Sequence, residues 1–453
     1  MTAGRPGRMG AGSGGGRISP ARVVADRVVR RVFEQGAYAD RALAAEAAGL
    51  DPRERAFAMA LTYTTVQRRA TLDHVLAQLA GRPPETMQPP LLAALRLGLA
   101  QLLFFDGVAE HAAVHESVEL AKAVSRGAGG LANAVLRRAA REGRELLAGL
   151  DDATAAGAAI AHSVPPWLAE MWFEQLGAEQ ARALLATVNR PAESALRVNT
   201  LVSTVEEVAA ALPVPVRAAV GLPEGLVLEG PFDVAGSELW RRGAIMAQSR
   251  GSMLPARVLD PQAGERVLDL CAAPGAKTGQ LAALMQGRGE LVAVERHPGR
   301  ARALRATLER MHAGWVQVRT ADGRELRDTD TGQPFDRVLV DPPCSGLGTL
   351  QSRPDLRWHT SREQIAQLAE VQLALLRAGA AAVAPGGTLV YSVCTISLEE
   401  GEDVIERFLA GAREFGVDSA SVAAGTESDD RFHRVMPHVD GTDGFFVARL
   451  RRE

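Results

Sequence analysis

From about Gly251 to the end of the chain one pattern repeats: a short apolar run, a turn of small residues or prolines, then a helix-like stretch. It is written in "ERVLDLCAAPGAKTGQLAALM", "GELVAVERHPGRARALRATLERM", "VQVRTADG", "FDRVLVDPPCSG" and "GGTLVYSVCTIS". Continuously apolar runs bury both faces, and alternation with helices supplies the cover, so the segment predicts an α/β, doubly wound sheet. Ligands in such a sheet bind beyond the C-terminal ends of the strands. The residues just after each apolar run are therefore the candidates for chemistry.

The rest of the chain reads differently. At 453 residues it is long enough for two or three domains at roughly 150 residues each. Residues 1–18 are glycine-rich and aperiodic, which predicts a disordered tail. Residues 19–150 carry Ala, Leu and Val at helical spacing, as in "ARVVADRVVRRVFEQG", and predict an all-helical domain. A linker is expected over 151–165 around "DDATAAGAA", a small α/β module over 166–250 from the short runs "LRVNT", "GLVLEG" and "GAIMAQ", and the doubly wound domain over 251–453.

Charge and cysteine usage exclude several classes. A formal charge of −3 gives no global attraction for nucleic acid, so such a partner needs a local basic surface. One candidate is the stripe Arg137, Arg141 and Arg144, with Arg138 beside it, on a helix-like run. The three cysteines, at 271, 344 and 394, form no CxxC pair, and HExxH is absent, so no metal site is expected. No run of about 18 apolar residues occurs, and the N-terminus has no apolar targeting core, so a cytoplasmic protein without a membrane partner is expected.

"VLDLCAAPGAKTGQLA" joins a strand, a small-residue turn and a helix, which brings backbone N–H groups close to a ligand. It is neither GxxxxGK[ST] nor GxGxxG. The next strand ends in Glu295, 20 residues beyond Gly275, where an acid takes both ribose hydroxyls of an adenosine; Asp322 follows the third strand, within reach of an adenine amino group. Loop, Glu and Asp in that order fit S-adenosylmethionine. Of 51 basic side chains only Lys122 and Lys277 are lysine, which points to a need for a compact ammonium in the loop.

"LVDPPCSGLG" ends the fourth strand with Asp341, Pro342, Pro343 and Cys344, and "YSVCTI" ends the last with Cys394. An aromatic after the two prolines would suit methylation of an exocyclic amine; cysteine suits carbon 5 of a pyrimidine. That carbon is barely nucleophilic until a thiolate adds at carbon 6, and an acid such as Asp341 can hold the base at N3 or its amino group. A free thiol of pKa about 8.5 is only slightly ionised at neutral pH, so the site must favour the thiolate. Cys344 and Cys394 hold equivalent strand-end positions, and on these grounds either could attack.

Together "CAAPGAKT", "DPPCSGLGT", "SVCT" and "DGTDGFFVARL" resemble the RNA cytosine-5 methyltransferase family known as Nop2/Nol1/Sun, over most of the chain. "NAVLRRAARE" in the helical domain is similar to the RNA-binding antitermination factor NusB. The resemblance implies a Rossmann-like methyltransferase fold with an N-terminal NusB-like domain and a small RNA-binding module. It implies Cys394 as nucleophile, Cys344 as the group assisting product release, and catalytic parts for Asp341 and Lys277. Cofactor contacts fall on Cys271, Ala272, Ala273, Pro274, Gly275, Ala276, Lys277, Glu295, Asp322 and Asp341. The sequence departs from the family at Ala276, usually glycine, at Glu295, often Asp, and at "SVCT" in place of "TCS".

The combination of domains implies a bacterial branch that methylates cytosine 967 of 16S ribosomal RNA, acting as a monomer on unassembled or partly assembled RNA. The same chemistry on transfer RNA or another ribosomal site stays open, as does a non-catalytic RNA-binding factor. Arg353, Arg357 and Trp358, after the DPPC motif, are candidates for reading the substrate.

Overall fold

The computed structural model describes residues 18–123, 126–325, 332–418 and 431–453. The expected disordered tail thus lies outside the described residues, apart from Ile18. The chain divides into two units, residues 1–163 and 164–453.

The described part of the first unit is helical: α1 (Pro20–Gln35), α2 (Ala39–Glu46), α3 (Pro52–Gln67), α4 (Arg69–Ala80), α5 (Pro89–Phe104), α6 (Glu110–Lys122), α7 (Arg126–Ala148) and α8 (Ala155–Ala161). Local chemistry sets several starts. Asp51 caps α3 by accepting the N–H groups of Arg53 and Glu54, with Pro52 in the first turn. The run "PLLAALRLGLAQLLF" is apolar on every side, and α5 accordingly forms the buried axis of the unit.

Residues 151–165, expected as a linker, carry a helix instead. Thr154 caps α8 through the Gly157 N–H, Thr71 Oγ1 donates to the Ile160 carbonyl at 2.5 Å, and the Ala70 N–H donates to Ser163 Oγ at 2.9 Å. Alanine has the highest helix propensity, so an alanine-rich stretch after a good cap folds once α4 offers a surface.

The second unit begins with α9 (Pro166–Thr187), broken at Gly177, whose φ is 75°. A four-stranded antiparallel sheet follows, from β1 (Ala195–Val198), β2 (Val216–Ala218), β3 (Gly225–Leu228) and β4 (Ile245–Ala247), in the order β2-β3-β1-β4. Helices α10 (Val205–Ala211) and α11 (Glu238–Arg241) lie in its connections.

After α12 (Arg250–Leu259) the main sheet is laid down by β5 (Arg266–Leu270), β6 (Glu290–Val294), β7 (Gln317–Arg319), β8 (Phe335–Val340) and β9 (Val383–Val393), all parallel. Three further strands, β10 (Phe415–Val417), β11 (His433–Val435) and β12 (Phe445–Arg452), join antiparallel, giving the order β10-β12-β9-β8-β5-β6-β7 with β11 on β12. Alternate residues pack on opposite faces. Leu268, Leu270, Val338 and Val340 meet the helix Arg362–Ala381, whereas Val267, Ala293, Leu339 and Val390 meet α12, α13 (Ala276–Leu284) and α14 (Pro298–Arg310). This is the two-faced burial that the continuous apolar runs require.

Strand order reverses at β5, which leads to β6 and β7 on one side while β8 and β9 lie on the other. Pairing keeps Val294, Leu270, Val340 and Tyr391 level in one row. The residues that follow them therefore emerge along one edge, at the switch point where a ligand crevice forms.

Candidate active site

The loop after β5 is shaped by its backbone. Cys271 leaves the strand with φ 66°, and Gly275 takes φ 105° at the entry to α13. A Cβ on Gly275 would lie 2.8 Å from Leu304 Cδ1, so conformation and space both demand glycine there. Ala276 is the first residue of α13 and does not use the left-handed region, which is why the departure from the glycine pair is tolerated. The first turn of α13 faces the loop with N–H groups that have no acceptor within the helix.

Two buried acids flank the loop. Asp269, inside β5 and 1% exposed, accepts Thr278 Oγ1 at 2.7 Å through Oδ2, while its Oδ1 has no partner. Burial pushes its carboxyl up to about 7, against the Thr278 hydrogen bond and with the Asp341 charge adding to the rise. Glu295, directly after β6 and 3% exposed, accepts the His297 N–H at 2.8 Å and faces Arg300 Nε at 3.5 Å. Arg300 also donates to the Ala273 carbonyl at 2.7 Å, tying the loop to Glu295.

Asp322, beyond β7, is gripped at both oxygens by Arg324, at 3.0 and 2.6 Å. That hydrogen bond first, then the Arg324 and Arg296 charges, hold its carboxyl down at about 2.

The ends of β8 and β9 carry the two sulfurs. Cys344 Sγ and Cys394 Sγ are 3.1 Å apart, each part-buried and free of a disulfide. Asp341 lies beside them, accepting Lys277 Nζ at 2.8 Å on one oxygen and Ser392 Oγ at 2.8 Å on the other. Burial works against the Lys277 ammonium, but the Asp341 and Cys394 charges outweigh it and raise its pKa.

The two thiols are inequivalent. The hydrogen bond from Cys344 draws the Cys394 thiol below its ordinary value, helped by Lys277 and Arg353 against burial and Asp341. The same hydrogen bond, with burial and the Cys394, Glu400 and Asp341 charges, pushes Cys344 well up. The shifts favour Cys344 as the donor in this contact and Cys394 as the acceptor. Cys271, by contrast, is pushed up to about 12 by burial and by the carboxylates of Asp341, Asp269 and Glu295.

Backbone contacts hold this geometry. The Gly348 N–H donates to the Cys394 carbonyl at 3.1 Å, and the Gly444 N–H donates to the Gly348 carbonyl at 2.8 Å. All the residues expected at the crevice thus sit at the ends of five adjacent strands.

Arg357 does not belong with them. It is fully buried and donates to the carbonyls of Pro354, Leu350 and Val188 and to Asn189 Oδ1, at 2.8 to 3.2 Å. Its planar fork of donors stitches a proline-interrupted loop together and leaves nothing to offer a substrate. Arg353 is exposed, and its charge reaches Cys394. In the first unit, Arg138 is committed to Glu142 and the carbonyls of Gln78 and Leu79; Arg137 and Arg141 line a groove with His111, His115 and Lys122.

Comparison with known proteins assigns this architecture. The family described as "16S rRNA methyltransferase RsmB/F" matches residues 256–451, the NusB family matches 19–141, and the ferredoxin-like domain of RsmF/B-like methyltransferases matches 164–235. The ribosomal RNA small subunit methyltransferase B of Thermus thermophilus is 36% identical, over 88% of this chain and 89% of that protein. Its counterpart in Pseudomonas putida is 32% identical, over 95% of this chain and 98% of that protein.

The chain belongs to the RsmB/F methyltransferase family.

A solved structure, "Crystal Structure of PH0851", shares the RsmB/F fold with a TM-score of 0.81 and 27% identity, over 96% of this chain and 99% of that one. The protein is an S-adenosylmethionine-dependent RNA methyltransferase with a Rossmann-like catalytic domain, a NusB-like helical domain and a ferredoxin-like module. The RsmB/F crevice fits that cofactor: a helix N-terminus opens onto the loop, the buried Glu295 stands at the next strand end, and Asp269 holds one unpartnered oxygen.

Asp269 was not singled out from the RsmB/F sequence, although an acid within the apolar run "VLDL" is itself a signal, because a buried charge needs a reason. Ser345 and Glu400 were missed too, since only the folded chain brings 345, 395 and 400 together. Among the described residues no group of three or more His, Cys, Asp or Glu side chains could hold a metal ion, and no helix is long and apolar enough to cross a membrane.

Proposed function

We propose that this RsmB/F enzyme methylates carbon 5 of a cytosine in 16S ribosomal RNA, of the cytosine 967 type, through a transient bond from Cys394 Sγ to carbon 6 of the base. The observation that carries the reading is the pair of sulfurs 3.1 Å apart, with the lowered thiol beside Lys277 and the raised one beside Glu400. Addition of the Cys394 thiolate at carbon 6 moves ring electrons toward carbon 5 and makes it nucleophilic. S-adenosylmethionine, when bound, supplies the electrophilic methyl that carbon 5 takes. Asp341, held by Lys277 and Ser392, orients the base through N3 or its amino group.

Release requires that the carbon 5 proton leave to a base and that the bond from carbon 6 to sulfur break, returning its electrons to Cys394. Cys344 assists by offering its S–H to the departing sulfur, the hydrogen bond the resting pair already makes. Cofactor binding is assigned to the loop Cys271–Lys277, Glu295, Asp322 and Asp341. RNA capture is assigned to residues 19–150 and 166–250, and chemistry to 251–453. The site of action is the cytoplasm, where a monomer meets 16S RNA before or during subunit assembly.

The Cys344→Ala variant tests the mechanism: a protein–RNA adduct should accumulate on denaturing gels, and an adduct formed only by Cys394→Ala reverses the two roles. Bisulfite sequencing of ribosomal and transfer RNA from a deletion strain tests the target. Retention of 5-methylcytosine at the small-subunit site, with loss from a transfer RNA, overturns the assignment.

A further inference from the structure

One acid near the thiols belongs neither to the cofactor loop nor to the base contacts. Glu400 is fully buried, six residues after Cys394, in the short turn Leu398–Glu400. Its Oε1 accepts the Ser345 N–H at 2.8 Å and Gln372 Nε2 at 2.9 Å, and its Oε2 accepts Ser345 Oγ. Ser345 Oγ is also 2.9 Å from Thr395 Oγ1, and the Ser397 N–H donates to Thr395 Oγ1 at 3.3 Å.

Proton counting fixes the direction of this chain. Ser345 donates its single hydroxyl proton to Glu400 while that carboxyl is ionised, which leaves the Ser345 oxygen to accept from Thr395; Thr395 is also a hydrogen-bond partner of Glu400, whose pKa burial raises against these bonds. Gln372 Nε2 reaches the Pro343 carbonyl at 3.0 Å as well, and Tyr391 OH donates to the Glu400 carbonyl at 2.6 Å. Ser345 and Thr395 each directly follow one of the two cysteines, so the Ser345–Thr395 and Ser345–Glu400 bonds tie one thiol loop to the other.

We propose that Glu400 is a positioning residue for methyl transfer: its buried carboxylate clamps the Cys344 and Cys394 loops through Ser345, Thr395 and Gln372 and keeps the two sulfurs in hydrogen-bond contact. Its charge is also among those that raise the Cys344 thiol. The groups facing the thiol pair are Asp341 and Lys277, Arg353 and Glu400 itself. This inference deepens the two-thiol reading and rests on it.

The test is iodoacetamide labelling of the full-length protein across pH 6 to 9, mapped by mass spectrometry, alongside single-turnover methyl transfer and S-adenosylmethionine affinity. The parent protein should label Cys394 first. Glu400→Gln should bind S-adenosylmethionine as the parent does, lose about tenfold or more in transfer rate, and show a Cys394-to-Cys344 labelling ratio lower by about tenfold, the equivalent of one pK unit. Thr395→Val, which removes the hydroxyl that meets Ser345 and the Ser397 N–H, should move both readouts the same way by a smaller factor and serves if Glu400→Gln does not fold. Labelling of Cys344 first in the parent would defeat the two-thiol reading itself. Parent-like labelling ratios and transfer rates in the folded variants would overturn the role of Glu400 alone.

Discussion

Cys271 and Cys394 each follow a parallel strand of one sheet, each is part-buried, and both open onto one crevice, yet their thiols are driven in opposite directions. Cys271 stands among the carboxylates of Asp341, Asp269 and Glu295 and keeps its proton. Cys394 stands against Cys344 with Lys277 and Arg353 beyond, and its thiol is drawn below its ordinary value. Strand-end position is therefore not what makes a nucleophile; the donors and charges brought in by other strands do.

The sharpest way to break this contrast is to delete each thiol. Cys394→Ala should cut single-turnover methyl transfer on the order of a hundred-thousandfold, as loss of a covalent nucleophile does, while Cys271→Ala should stay within about threefold. Equal losses would erase the distinction. Next in size is Lys277→Met, which removes the ammonium from Asp341 and Cys394. On the proposed mechanism the transfer rate follows the Cys394 thiolate fraction, so this variant should fall about tenfold at neutral pH and need about one pH unit more to reach half its plateau. An unmoved midpoint would mean that Lys277 does not act on the thiol.

Arg353→Gln should cost only about two- to threefold, because an exposed charge is screened, and the loss should vanish at high salt. A salt-independent loss would assign Arg353 a direct contact instead.

The smallest effect belongs to the acidic side. The Asp269 carboxyl, pushed by burial from 3.8 to about 7, holds a proton in the folded chain where the unfolded chain has released it. Its contribution to stability is whole below about pH 4 and is lost as pH rises through about 7. Asp269→Asn should flatten that part of the pH dependence of the melting temperature, by calorimetry; an unchanged slope would show that the carboxyl does not titrate there.

The strand-end residues were legible because each is announced locally: an apolar run stops, and the next polar or sulfur-bearing residue must lie at the crevice. Glu295, Asp341 and Cys394 follow that rule. Arg357 misled because a basic residue in a proline-rich segment reads as surface, whereas a buried loop needs donors for its carbonyls, and a guanidinium supplies five. The helix within 151–165 was hidden by its alanines, which carry no amphipathic period. Ser345, Thr395 and Glu400 were illegible as a group, since the spacing of 345 from 395 says nothing until β8 and β9 pair.

The contact between Gly348 and Gly444 bears on which substitutions the chain tolerates. A Cβ on Gly348 would lie 2.1 Å from the Gly444 carbonyl oxygen, and one on Gly444 would lie 3.0 Å from Gly348 Cα. Because the Gly348 N–H holds the Cys394 carbonyl, even alanine at either position would push on the backbone of Cys394 without touching its side chain. Two sites nearly a hundred positions apart are thereby mutationally locked to a third, and random mutagenesis of this gene would recover inactivating changes at both glycines as readily as at the thiols.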